Sequence, residues 1–189
     1  MNDNSDRAAG EWMTATHKVF VSYHHDNDQE YRDRFESICE NVIESRSVDI
    51  GDIDPGLKTE TVRQKIRDEY IRDASVTVLL IGTQTWQRKH VDWEISSSIR
   101  DTDKNPRSGL LGFLLPSRSD FGTGKYNPRT IPPRLYDNVP CGYAMVYNWI
   151  TEANTIQRLI HEAYERKDKI TPDNSRPLYS NNRSGSEWQ

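Results

Sequence analysis

The chain has 189 residues, a formal net charge of -4, a pI of about 5.8, 34% hydrophobic residues and a mean hydropathy of -0.88. That length suits one domain, and no basic stripe stands apart from the acids, which excludes the footprint of a nucleic-acid binder. No apolar run nears bilayer-spanning length, no start resembles a signal peptide, and Cys39 and Cys141 are too few for a zinc site or a disulfide framework.

A cytosolic protein is therefore expected, with Cys39 a buried thiol on a helix stripe. Residues 1–16 and 170–189 are polar and aperiodic. They read as a disordered N-terminal tail and a flexible C-terminal tail around a single domain over 17–169.

The first element is Lys18-Val19-Phe20-Val21-Ser22-Tyr23, short, β-branched and aromatic, a strand. The polar cluster His24-His25-Asp26-Asn27-Asp28 follows and suits a helix cap. From Gln29 to Ser45 the apolar residues Tyr31, Phe35, Ile38, Cys39, Val42 and Ile43 make one helical stripe. Ser47 to Ile53 alternates polar and apolar, as an exposed strand near a sheet edge does. Asp54-Pro55-Gly56 is a turn. Thr59 to Arg72 reads as a charged helix.

Ser75-Val76-Thr77-Val78-Leu79-Leu80-Ile81-Gly82 is the most hydrophobic run and reads as a central strand. Thr83 to His90 is a polar turn carrying Trp86, and Val91 to Arg100 is a helix. Gly109 to Leu115 is a second all-apolar strand. Ser117 to Gly142 has four prolines and little periodicity, and a loop of that length is functional or mobile in most domains. Tyr143 to Trp149 is the last strand, and Glu152 to Lys167 is a helix burying Ile156, Leu159, Ile160, Ala163 and Tyr164. Strands alternating with helices predict an α/β fold, a parallel sheet covered on both faces.

In such sheets ligands sit beyond the carboxyl ends of the strands. The turn after Gly82 is one of those places. On the helix that follows, Val91, Ile95, Ser98 and Ile99 share a face, and Glu94 lies on its border, half in the core and half in the cleft. Its charge is expected to be costly there. His90 is one turn earlier and within reach of Glu94. Trp93 is expected to point the other way, to solvent, the long loop or another subunit. Trp86 reads equally as an aromatic lid on the core or as a ligand-stacking ring. The histidines at 24 and 25 invite a metal reading, but no second cluster has matching spacing, so no metal is expected. An acid ending the third strand and a lysine ending the fifth are both missing, which excludes a response-regulator pocket. The glycines form neither a dinucleotide fingerprint nor a phosphate loop.

Val19 to Tyr23 resembles the opening strand of a TIR domain. Ser75 to Trp86 with Val91-Asp92-Trp93-Glu94-Ile95 is similar to the bacterial TIR-like family that includes ThsB of Thoeris anti-phage defence. The resemblance runs from Lys18 to about Ile99. It implies a TIR/flavodoxin-like three-layer fold with a five-stranded parallel sheet. It also implies cleavage of the nicotinamide–ribose bond of NAD, which is substrate rather than cofactor. The essential glutamate on the helix after the third strand matches Glu94. Ser22, Tyr23, His24, Asp54, Trp86 and His90 stand on the same rim and are the expected substrate-binding residues.

Members of the family make a signal nucleotide, a cyclic ADP-ribose isomer or an ADP-ribose conjugate, which activates a separate effector protein. Self-association into a homo-oligomer is compatible with the family. No nucleic-acid or membrane partner is expected. Two alternatives stand beside this reading. One is a non-catalytic TIR scaffold acting by self-association through Trp93 and the long loop. The other is an enzyme like the nucleoside deoxyribosyltransferases, which use a similar sheet and a glutamate.

Overall fold

The computed structural model describes residues 15–46, 71–102 and 106–189. Within them the chain forms β1 (His17–Ser22), α1 (His25–Cys39), β2 (Ile43–Arg46) and β3 (Val76–Ile81). A 3-10 turn (Thr85–Gln87), α2 (Lys89–Ser98) and β4 (Gly109–Leu114) follow. A second 3-10 turn (Pro128–Thr130), α3 (Pro133–Asp137), β5 (Ala144–Asn148) and α4 (Ala153–Lys167) complete the order. The five strands form one sheet in the order β2-β1-β3-β4-β5, and every pair is parallel. The α/β expectation therefore holds, with β3 and β4 buried along their whole length.

Alternation along the strands divides the core in two. Val19, Val21, Val78, Leu80, Leu111 and Phe113 face Phe35 and Cys39 of α1 and Ile156, Leu159 and Ile160 of α4. Leu79, Ile81, Leu110 and Leu114 face Val91 and Ile95 of α2, Ile99 just past its end, and Leu135 of α3. Each such side chain, fully buried, contributes roughly 1.5–3 kcal/mol of transfer free energy. β4 and α4 cross so closely that a Cβ on Gly109 would stand 2.3 Å from the Ala163 carbonyl oxygen. Glycine in that strand is a packing requirement.

The first helix is shorter than its apolar stripe suggests. It ends at Cys39, and Ile43 opens β2 instead of continuing the helix. The β-branched pair Val42-Ile43 fits a strand as well as a stripe, so periodicity did not separate the two. The strand expected over 47–53 and most of the helix expected over 59–72 lie outside the described residues.

Two larger differences concern the polar stretches. The loop from 117 to 142 contains α3, whose Arg134 is fully buried and pairs with Asp92 of α2, Nε to Oδ1 2.9 Å. The segment 171–189, expected to be loose, has no helix or strand but runs as a strap along α2. Tyr179 N–H donates to Asp92 Oδ2 at 2.9 Å, and Trp93 Nε1 donates to the Tyr179 carbonyl at 2.9 Å. Arg183 N–H donates to the Gln87 carbonyl at 2.8 Å, and Trp188 Nε1 to the Ile131 carbonyl at 2.9 Å. Trp93 is consequently only 6% exposed, packed with Phe20, Ile71, Ala74 and Leu178 rather than turned to solvent. The average polarity of the segment hid Leu178, Tyr179 and Trp188, the residues that dock.

Candidate active site

β1 is flanked by β2 on one side and β3 on the other, so the chain reverses its direction of travel across the sheet between β1 and β3. The crevice outside the carboxyl ends of those two strands is where open α/β sheets bind ligands. Ser22 is the last residue of β1, and Gly82 follows β3. A side chain at Gly82 would have to displace Asp28. A Cβ there would meet the Asp28 carboxylate at 2.4 Å. Thr85 then fixes the turn: its hydroxyl accepts from Gly82 N–H at 2.8 Å and donates to Asp28 Oδ2 at 3.2 Å. This lock ties α1 to the end of β3 and sets where α2 begins.

On α2, Glu94 is turned back over the crevice and is 1% exposed. Ser22 Oγ donates to Glu94 Oε2 at 2.6 Å, joining residues 72 positions apart in sequence. Burial pushes the Glu94 carboxyl up to about 8, and the Ser22 hydrogen bond only partly opposes this. The direction agrees with the sequence expectation, and the burial is more complete than a stripe-border position implies.

The histidines surround this acid. His90, one turn before Glu94, places Nε2 3.1 Å from the Tyr23 carbonyl oxygen. Burial holds its imidazole down to about 4, so the ring is neutral at physiological pH. The His25 ring lies between those of Tyr23 and His90, with centroids 4.6 and 4.7 Å away. One donor atom each from His25, His90 and Glu94 lies within 4.8 Å of the others. Sequence spacing separated His25 from the site, because only the fold brings the start of α1 against the start of α2. His24 is buried, and among the described residues neither of its ring nitrogens has a hydrogen-bond partner. Burial, then the Arg88 charge, lowers its pKa.

Ser22, Tyr23, His24, His25 and His90 therefore gather at one end of the sheet with Glu94. Tyr23 is buried, and its hydroxyl donates to Gln29 Oε1 at 2.7 Å. Trp86 is 2% exposed, in the 3-10 turn that follows β3. Asp54 lies outside the described residues. Sequence reading missed Asp28, which is buried beneath the rim and pushed up to about 6 by burial. Its nearness to Gly82 is the one clue, and it is a three-dimensional one.

The long loop builds the neighbouring part of the rim. Arg118, just past β4, donates to both Asp120 oxygens at 2.8 and 2.7 Å and to the Thr130 carbonyl at 2.9 Å. It lines a polar cleft of about 290 Å³ with Thr83, Ser119, Asp120, Asn127, Thr130 and Ser186.

The model of the TIR-like domain of the Thoeris protein ThsB matches residues 20–120. The matched span runs through β4 and includes Ser22, His90 and Glu94. Among solved structures the chain is similar to FerB, a flavoenzyme NAD(P)H:(acceptor) oxidoreductase from Paracoccus denitrificans, at 12% identity and a TM-score of 0.49. That match covers 81% of this chain and 98% of FerB, and is too distant to bear on chemistry.

Proposed function

The chain belongs to the ThsB TIR-like domain family of Thoeris defence, and from that premise we propose that it cleaves NAD at the nicotinamide–ribose bond. The ADP-ribose part then becomes a signal nucleotide, a cyclic isomer or a conjugate, that activates a separate effector protein. The observation that carries this reading is the Ser22–Glu94 hydrogen bond, which presents a desolvated carboxyl at the β1/β3 crevice.

The C1′–N1 bond breaks with both electrons going to the pyridine nitrogen, so nicotinamide leaves neutral and needs no strong acid. Positive charge develops on C1′ and the ring oxygen, as in glycoside cleavage. A Glu94 carboxylate facing that charge stabilises it with little reorganisation, and a low-dielectric site strengthens the effect. Without substrate, the buried Glu94 holds its proton at neutral pH. The pyridinium of incoming NAD is a cation, and its approach favours the carboxylate. Substrate entry thus readies the group that the transition state needs. An acceptor oxygen or nitrogen then attacks C1′, and its proton passes to the Glu94 carboxylate, which restores the acid present before NAD entered. When the acceptor belongs to the substrate the product is cyclic, and when it is an outside molecule the product is a conjugate.

Trp93, the contact residue of the scaffold alternative, is covered by the chain's own strap. This weighs for the enzyme. The test is mass spectrometry of NAD incubated with the protein, with and without infected-cell lysate. Nicotinamide and an ADP-ribose-derived product are expected from the wild type, and Glu94→Gln should reduce both by at least about 100-fold, the scale of removing one preorganised electrostatic group. Undiminished nicotinamide release by Glu94→Gln would remove Glu94 from the chemistry. No NAD loss by either protein, even with lysate, would leave the scaffold.

A further inference from the structure

We propose that His25, His90 and Glu94 form a binding site for a divalent transition metal ion of the zinc class, and that the bound ion shuts the enzyme off. The inhibitory half rests on the NAD-cleaving reading above, and the binding half does not.

The three side chains come from two helix starts that face each other. His25 is the first residue of α1, and His90 is the second residue of α2. Glu94 stands one turn beyond His90 on α2, a spacing that sets two side chains over each other on one helix face. With one donor atom from each inside 4.8 Å, the set is two imidazoles and one carboxylate. Zinc-class ions bind such sets at about 2.0–2.2 Å and leave a fourth position open. At those bond lengths tetrahedral donors stand about 3.4 Å apart, so the three atoms, now within 4.8 Å of one another, have to draw in by about 1 Å or less on two half-buried imidazoles and the Glu94 carboxyl. Calcium and magnesium call for oxygen ligands, so two imidazoles select against them.

Two ligands already have the supporting contacts that metal sites use. The Tyr23 carbonyl takes a hydrogen bond from His90 Nε2, which fixes the tautomer and leaves the lone pair on Nδ1. Ser22 holds one oxygen of Glu94. Both contacts also exist to serve the acid site, so the same supports hold either function. Occupation by the ion excludes catalysis on charge alone. Glu94 is the acid that faces the substrate, and a dication bound to it cancels that charge and repels the pyridinium.

The test uses the full chain and Co²⁺, whose visible absorption reports coordination by nitrogen and oxygen without any turnover. Wild type should bind one Co²⁺, displaced by Zn²⁺. His25→Ala, His90→Ala and Glu94→Gln should each weaken binding by about 10–100-fold or more, while circular dichroism melting confirms that they fold. His161→Ala is the counter-variant, because His161 meets His17 at 3.1 Å on α4, away from this site. Loss of the cobalt band in His161→Ala but not in His25→Ala would overturn the site, as would no band in wild type. In the same samples, Zn²⁺ should suppress nicotinamide release and a chelator should restore it. Cobalt binding with zinc-insensitive nicotinamide release would overturn the inhibition. Cobalt binding with no nicotinamide release, even after infected-cell lysate is added, would uphold the site and remove the NAD reading together with the inhibitory role.

Discussion

Without substrate, Glu94 is protonated until about pH 8 because burial strips water from it, and only Ser22 partly compensates. Two outcomes follow from that proton. For nicotinamide release, kcat/KM reports the free enzyme and should rise with pH through about 8, while the kcat midpoint should fall lower because bound pyridinium favours the carboxylate. For stability the sign is the opposite. The native pKa is above the unfolded value of 4.5, so the bound proton stabilises the fold fully below 4.5, and the benefit is lost as pH rises through about 8. Denaturant melts of wild type and Glu94→Gln should diverge between pH 5 and 8 by on the order of 3–5 kcal/mol, with the Gln variant gaining. Asp92, two positions earlier, makes a buried pair with Arg134. Arg134→Met should cost about 3–5 kcal/mol, because it leaves the Asp92 charge buried without its partner. Sequence alone singled out Glu94 through its place on the stripe and the family resemblance. Sequence alone did not pair Asp92 with Arg134, because they are 42 residues apart and only the fold joins them.

At the scale of elements, β3 and β4 were legible because strands buried on both faces need no alternation and read as plain apolar runs. The end of α1 was not, because Val42 and Ile43 satisfy helix and strand patterns together. α3 was hidden by length, since five residues with prolines at the entrance show no period. The β4–α4 crossing supplies the prediction that belongs here. Gly109→Ala drives a methyl to 2.3 Å from the Ala163 carbonyl oxygen, a backbone atom that cannot swing aside. Thermal melts should show a loss of at least about 1–3 kcal/mol, the usual scale of overpacking. Alanine at Gly124, with open space around it and φ +77, should cost about 1 kcal/mol from backbone strain alone.

For the whole molecule, the parallel order of the sheet followed from the alternation of strands and helices, and the β1/β3 crevice followed from that order. What composition concealed was the strap, because a polar average says nothing about three docking residues. Without it Asp92 loses its hydrogen bond from Tyr179, and Trp93 loses both its cover and its acceptor. Truncation after residue 170 should therefore speed amide exchange in α2 well before it touches β3 or β4, as hydrogen-exchange mass spectrometry would show. Unchanged exchange in α2 would mean that the strap rides on a helix already fixed by Arg134. The strap also sets an order of events during synthesis. Tyr179 is 87 residues later than Asp92. At about 5–20 residues per second the ribosome makes that stretch in several seconds. Throughout that interval the nascent chain has its glutamate helix without the last contact that covers it, so a chaperone meeting the emerging polypeptide would find Trp93 uncovered.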